Sequence, residues 1–556
     1  MRSPIPPSTG LRSHRAVRRL LCCGVRPPTG ATSAVSLESS TNQSWGGNLR
    51  GLGHNNYLGK ILNARVYEIA HETPLVYAPV LSAALGNRVL LKREDLQPVF
   101  SFKIRGAYNK IAQLSREQLA KGIVACSAGN HAQGVALSAR ELKVDAVIVM
   151  PVATPAIKVD AVRKFGGNVR LHGATYDEAQ AEAMRLVETE ERTLIHPFDD
   201  PYVIAGQGTI GMEILKQTTG KPLHAIFVCC GGGGMLAGIA AYVKRVRPGV
   251  LVIGVEAEDA AGMTASLRRG RLTTLDSVGI FADGAAVRTV GAETFRICHE
   301  LVDDMVTVST DEICAAIKDG FFDTRCILEP AGALAIAGMK SYCAKTNLRD
   351  QTFVAIASGA NMDFDRLRFV SERADSSETL VSALIPEKPG SFRALVSLIE
   401  PRNVTEVSYR FGSRTRAAVL LGFQAKGLED ALNVQQAMRE KGFEVSDLSN
   451  NELAKAHTRF LAGGRSPVEN EVLYRFEFPE RPGALTNFLD VLNDSSHNEW
   501  TVTLFHYRNH GADIGRVLVG IQVPPDEHSM LDTFLEKLGY VYHCEGDNEN
   551  YHHFFR

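Results

Sequence analysis

The stretch "AIFVCCGGGGMLAGIAAYVKRV" (Ala225–Val246) runs from a five-residue apolar segment through four consecutive glycines into a small-residue, finally basic, helix-like segment. It reads as a buried strand, a glycine turn and a helix. Glycines at that junction let backbone N–H groups converge at a helix N-terminus, where the dipole also favours an anion. A merely flexible turn is a poor account, because four glycines carry an entropic cost that nothing would offset. The absence of G-K-[ST] excludes a nucleoside triphosphate P-loop. The run is not a clean G-x-G-x-x-G either, although Glu256 closes the next strand about 20 residues on, where a dinucleotide fold keeps its acidic partner. The uncharged run Pro222–Val243 is long enough to span a bilayer. His224 and the glycines in its middle favour strand, loop and helix instead.

Working outward, the same pattern recurs from about residue 74 to 365. "GIVACSAGNHAQGVALSARELK", "DAVIVMP", "VLVIGVEAE" and "TFVAIASGANMD" each begin as a buried strand and turn through Gly, Ser or Asn. That alternation predicts an α/β fold with a mostly parallel open sheet. Ligands of such sheets bind beyond the carboxyl ends of the strands, so the turns should face one crevice. "ACSAGNHAQG" (Ala125–Gly134) brings Ser127 and Asn130 there, and "ASGANMD" (Ala357–Asp363) brings Ser358 and Asn361; either set also reads as plain helix caps. His131 is assigned no catalytic role. In "PVFSFKIRGAYNKI" (Pro98–Ile111), Lys103 stands between Phe102 and Ile104. A lysine that only snorkels from a helix start keeps a pKa of about 10.4, whereas desolvation lowers it and frees the amine for Schiff-base chemistry.

The totals bound the rest. At 556 residues the chain predicts two to four domains, and 45% apolar with 22% charged residues is a globular composition. A net charge of −1 gives no reason to expect nucleic acid or an anionic membrane as partner. Residues 1–40 hold six Arg against the single acid Glu38, which reads as an organelle transit peptide or a disordered basic leader over residues 1–50. Mitochondrial matrix is the first expectation, plastid stroma the alternative, and cytoplasm follows if the leader does not target. Ten cysteines without a C-x-x-C pair predict a reducing compartment and no metal site.

After about residue 375 the character changes. "IPEKPGSFRALVSLIE" (Ile385–Glu400) is echoed by "FPERPGALTNFLDVLN" (Phe478–Asn493), and "VSYRFG" by "LFHYRN". Two copies of strand, turn, helix, strand, strand predict tandem α+β lobes. Tyr409 and Tyr507 correspond in the two copies. Lobes without apparent acid–base chemistry read as binding modules.

A lysine in an apolar setting, a phosphate cup, a Ser/Asn turn and a further Ser turn are the parts that pyridoxal phosphate chemistry requires. "SFKIRGAY", "SAGNHAQG", "GGGGMLAG", "LEPAGA" and "SGAN", in this order, resemble the tryptophan synthase β-subunit-like (fold type II) pyridoxal phosphate family, and within it the threonine dehydratases. The resemblance covers residues 60–375, and the tandem lobes resemble the ACT-like regulatory domain of the biosynthetic form. It implies a catalytic domain over 55–375 and lobes over 380–452 and 470–550. By the same resemblance Lys103, beside Phe102, holds the cofactor covalently and Asn130 contacts its 3′-oxygen. Backbone amides of Gly231, Gly232, Gly233, Gly234 and Met235 bind its phosphate, and Ser358 bonds the ring nitrogen. Ser127, Ala128, Gly129 and Asn130 receive the substrate carboxylate. The implied reaction is the dehydration and deamination of L-threonine, the first committed step toward isoleucine. Isoleucine is the implied inhibitor and valine its opponent, with a homotetramer and a monovalent cation as further implications. Effectors are expected near Tyr409-Arg410 and Tyr507-Arg508, where an arginine can take a carboxylate; the other reading makes both pairs structural strand residues. Competing expectations are a serine dehydratase or racemase, forms that usually lack such lobes, and a non-catalytic amino-acid sensor, which would not need Lys103, the glycines or Ser358.

Overall fold

The computed structural model describes residues 56–364, 366–374, 378–411, 415–451, 454, 466, 468–479, 483–493, 500–508 and 514–547; the leader expected over 1–50 lies outside them. The α/β alternation is present as two sheets. The larger has the order β1-β2-β10-β7-β8-β9, from β1 (Leu75–Tyr77), β2 (Arg88–Arg93), β7 (Ala225–Cys229), β8 (Leu251–Ala257), β9 (Asp304–Val308) and β10 (Thr352–Ala357). Only β1 runs antiparallel to its neighbour. The smaller has the order β5-β4-β3-β6, all parallel, from β3 (Ile123–Cys126), β4 (Ala146–Met150), β5 (Asn168–Leu171) and β6 (Thr193–Leu194). Every residue of β7 and β10 is buried. That is why these strands read as continuous apolar runs rather than alternating ones: a parallel sheet is covered on both faces.

The helices that matter for the site are α1 (Lys103–Ala112), α2 (Asn130–Leu142), α3 (Pro201–Gln217), α4 (Gly234–Val246) and α5 (Pro330–Thr346). Helices α1 and α3 cross closely at Gly106 and Gly206; a Cβ on Gly206 would lie 2.7 Å from the Arg105 carbonyl oxygen. Beneath this crossing lies a buried ionic cluster. Arg105 donates through Nε to Glu94 (2.7 Å) and through Nη1 to Glu213 (2.6 Å), and Lys92 Nζ meets Glu213 at 2.6 Å. Two cations and two carboxylates neutralise one another, the condition under which buried charges are tolerated.

The C-terminal third is built on one eight-stranded antiparallel sheet, order β14-β11-β13-β12-β16-β17-β15-β18. Its strands are β11 (Glu378–Pro386), β12 (Val404–Arg410), β13 (Arg416–Gln424), β14 (Glu444–Asp447), β15 (Glu471–Pro479), β16 (Thr501–Arg508), β17 (Ile514–Gln522) and β18 (Val541–Cys544). The order is palindromic: each copy contributes four strands, and β12 joins β16 at the centre, pairing Val407 with Tyr507 and Tyr409 with Phe505. The internal register repeats too, Glu378 opposite Gln424 in one copy and Glu471 opposite Gln522 in the other. Gly390 and Gly483, the glycines of the two Pro-Gly turns, take left-handed φ of 83° and 87° ahead of their helices, a conformation that glycine enters without strain.

Candidate active site

The three turns singled out in the sequence all follow carboxyl ends of parallel strands: Ser127–Gly129 after β3, Gly231–Gly233 after β7, and Ser358 after β10. Lys103 opens α1, and the segment before it is tied to the Ser358 turn. Phe102 N–H donates to the Ser358 carbonyl (3.2 Å), Ala360 N–H donates to the Phe100 carbonyl (2.9 Å), and Ser101 bridges to Gly359. Phe100 is held at φ 54°, a left-handed conformation costing a bulky residue on the order of 1–3 kcal/mol. The chain thus accepts local strain where the lysine loop and the serine loop are fastened together.

Lys103 Nζ donates to the Pro197 carbonyl at 3.1 Å and lies 5.3 Å from the Phe102 ring centre. Among the described residues no carboxylate comes within ion-pair distance of it. Burial pushes its ammonium down to about 8, against a weaker upward pull from Cys229 and Glu329. The amine at the head of α1 is therefore desolvated.

At the glycine turn, Gly233 is left-handed (φ 94°) and a Cβ on Gly232 would lie 2.2 Å from the Phe198 ring. The loop is held by Thr294, whose hydroxyl donates to the Gly232 carbonyl at 2.6 Å. Helix α4 begins at Gly234 with no side-chain cap, so its first amides, Met235 included, stay available for an anion. Helix α2 likewise begins at Asn130 with Gly129 as an uncapping N-cap. Residues Ser127, Ala128, Gly129 and Asn130 are partly exposed, and among the described residues the Ser127 hydroxyl accepts only from Gly129 N–H at 3.3 Å. Ser127 therefore caps neither N2 nor N3 of α2. Ser358 is buried, its hydroxyl donating to the Ala331 carbonyl at a long 3.3 Å, with the Cys229 thiol beside it pushed up to about 12 by burial.

Two other residues turn out to be structural. His131 donates from Nε2 to the Ile195 carbonyl (2.7 Å), and burial, then the charge of Lys103, lowers its pKa to about 3. It stays neutral. Glu256 accepts from the amides of Met263 (2.8 Å) and Thr264 (2.9 Å) and so caps the helix Gly262–Arg269.

Glu329 is the residue to which sequence reasoning gave no role. It stands inside "LEPAGA", is 6% exposed, and accepts from Asn130 Nδ2 at 2.6 Å. Its signal was a carboxylate directly before a helix-opening proline.

In the C-terminal sheet, Tyr409 donates to the Glu387 carboxylate (2.9 Å) and stacks on Phe392 with ring centres 5.7 Å apart. Both line a cavity with Ile385, Leu489 and Trp500. Tyr507 lies diagonally across the β12–β16 pair from Tyr409, within reach on the same face. Arg410, for which both an effector-binding and a structural reading were open, is buried against Glu471, which also accepts from Thr503. The Arg508 side chain lies outside the described residues.

A desolvated lysine, two uncapped helix N-termini for two anions, and a buried serine hydroxyl fit a phosphorylated aldehyde cofactor together with a substrate carboxylate. Residues 66–359 match the family model described as pyridoxal-phosphate dependent enzyme, and residues 371–458 and 462–555 match the C-terminal regulatory domain of threonine dehydratase. The chain is 53% identical to a biosynthetic L-threonine dehydratase of Burkholderia multivorans over 89% of its own length and 98% of that protein's. It is 52% identical to the mitochondrial threonine dehydratase of Saccharomyces cerevisiae over 90% of this chain and 89% of that one. A solved structure of processed threonine deaminase isoform 2 from Solanum lycopersicum superposes with a TM-score of 0.56 at 53% identity, covering 57% of this chain and 87% of the other.

Proposed function

Since the chain belongs to the threonine dehydratase family of pyridoxal-phosphate-dependent enzymes, with the regulatory domain of its biosynthetic branch, we propose that it converts L-threonine to 2-oxobutanoate and ammonia under isoleucine control. Pyridoxal phosphate, when bound, supplies the electron sink that makes the substrate Cα–H acidic. Lys103 would hold it covalently, the amides of Gly231–Met235 its phosphate, Asn130 its 3′-oxygen and Ser358 its ring nitrogen. The Lys103 Nζ would be the group that takes the Cα proton, a task that requires the unprotonated amine. The amides at the start of α2, with Ser127, orient the substrate carboxylate. Ser358 is a neutral hydroxyl and does not enforce a proton on the ring nitrogen, which favours departure of the β-hydroxyl over transamination. Threonine loses one water; the enamine released tautomerises and hydrolyses to the oxoacid and ammonia.

The observation that carries this reading is the desolvated Lys103 amine, without a carboxylate partner among the described residues, at the mouth of an uncapped glycine turn. The C-terminal sheet would bind isoleucine at the Glu387–Tyr409 cavity, where a carboxylate can take the ammonium and Ile385, Phe392 and Leu489 the side chain. The proposal extends to valine as opposing effector, a homotetramer, a monovalent cation beside the cofactor, and residence in the mitochondrial matrix, with the plastid stroma as alternative. Domain limits of 55–375, 380–452 and 470–550 are part of the same reading.

The test is 2-oxobutanoate formation from L-threonine by protein lacking residues 1–50, with and without L-isoleucine. Turnover suppressed by isoleucine supports both halves of the proposal. Turnover indifferent to isoleucine retains the reaction and removes the assigned role of the C-terminal sheet. Cofactor-loaded protein that does not turn threonine over refutes the substrate, and serine is then the next to try.

A further inference from the structure

A carboxylate at a helix N-cap ordinarily turns back to accept from the first free amides, where the helix dipole also favours it. Glu329 occupies that position on α5, with Pro330 opening the helix, and makes no such bond. Its side chain turns the other way. Oε1 accepts from Asn130 Nδ2 at 2.6 Å; Asn130 Oδ1 accepts from Asn361 Nδ2 at 2.7 Å; Asn361 Nδ2 also donates to the Val99 carbonyl at 2.9 Å. Room for the carboxylate is made by Gly359, where a Cβ would come within 2.1 Å of Glu329 Oε1. Three motifs far apart in sequence, "SAGN", "LEPAGA" and "SGAN", therefore close on one carboxyl group.

Resting on the reaction assigned above, we propose that Glu329 is a positioning residue for that reaction: it fixes the Asn130 amide so that one Nδ2 hydrogen remains for the cofactor, and its charge state sets the electrostatics around Lys103. An asparagine amide has two donors and one acceptor oxygen. With the oxygen taken by Asn361 and one N–H by Glu329, the second N–H is the only one left, and the amide cannot flip without breaking both bonds. The charged and titratable groups that face the Glu329 carboxyl are Lys103 of α1, Asp283 of the short helix Asp283–Ala285, Lys158 of the helix Ala156–Lys164, and Cys229 at the end of β7. Burial pushes the carboxyl up to about 7; the Asn130 bond and the two lysines pull it down, and Asp283 pushes it up. Near neutral pH the group changes charge, and its anion favours a cationic Lys103. A carboxylate spent on fold stability alone would have stayed on its helix.

The experiment compares the wild-type holoenzyme with Glu329→Gln and Glu329→Ala. Gln keeps the volume and the acceptor but cannot titrate. Expected for Glu329→Gln are unchanged melting of the cofactor-free protein, cofactor affinity within about threefold, and loss of the wild-type inflection near pH 7 in the bound cofactor's visible absorbance and in kcat/KM. Glu329→Ala frees the Asn130 amide and should weaken cofactor binding about tenfold or more. A Gln variant that titrates like wild type overturns the proposal, as does an Ala variant with wild-type cofactor affinity. If the wild-type absorbance titrates as expected and the Gln variant's does not, but threonine is not turned over, the assigned reaction fails while the positioning role stands.

Discussion

Lys103 and Arg105 stand two residues apart on one helix, and their surroundings drive their charges in opposite directions. Arg105 is enclosed by Glu94 and Glu213, whose attraction outweighs burial and raises its pKa. Lys103 meets a carbonyl and an aromatic ring, and burial lowers its pKa. Burial by itself therefore does not set protonation. What decides is whether distant elements deliver a carboxylate, as β2's end and α3 do for Arg105. One cation becomes a fixture of the fold, and the other is left desolvated, as the reagent proposed above would have to be. The C-terminal sheet repeats the first arrangement, with Arg410 buried against Glu471.

The comparison breaks most visibly at Lys103. Lys103→Met should cut threonine turnover by about 10⁴-fold or more while circular dichroism of the cofactor-free protein stays unchanged; appreciable turnover by this variant would show that another group does the work. Arg105→Met should behave in the opposite sense. It strands two buried carboxylates and should cost about 3–5 kcal/mol in urea unfolding, with part regained when Glu94→Gln is added. A loss below about 1 kcal/mol would mean that the cluster does not hold α1. Arg410→Met should lower the stability of the C-terminal sheet by about 1–3 kcal/mol and leave turnover without isoleucine within about twofold, read by unfolding and by assay on the same preparation.

Two pH effects sharpen the contrast. Capture of pyridoxal phosphate by the cofactor-free protein should quicken about tenfold per unit as pH rises toward about 8 and level off above it. Stopped-flow mixing over pH 6–11 would place the inflection, and one near the ordinary lysine value would deny that burial activates Lys103. The smallest effect is on melting. A lysine whose pKa is depressed in the folded state costs stability fully below the folded value of about 8, and the cost fades as pH rises from there to the unfolded value of 10.5, above which it is gone. Cofactor-free Lys103→Met should therefore melt about 2 °C higher at pH 7 and converge with wild type above pH 10.5.

Much of the fold was legible because its signals are local. Fully buried parallel strands such as Ala225–Cys229 and Thr352–Ala357 leave unbroken apolar runs, and the repeated Pro-Gly turns mark glycines that must be left-handed. The turns bearing Ser127, Gly231–Gly234 and Ser358 were readable for the same reason, since each of the two sheets places such turns at the carboxyl ends of its parallel strands. Arg410 and Glu329 were not. Nothing near Arg410 in the chain announces Glu471, 61 residues on, and Glu329 looks like an ordinary helix cap until Asn130, 199 residues earlier, is seen to donate to its carboxylate.

By itself, then, the amino-acid sequence determined the succession of strands, glycine turns and helices, the tandem repeat, and the residue types brought to the crevice. These follow from side-chain periodicity and backbone freedom over a few residues. Only the tertiary structure decided which cation meets a carboxylate and which does not. Coulomb and desolvation energies depend on distance and burial in space, and the partners of Arg105, Arg410 and Asn130 are separated from them in sequence by up to 231 residues.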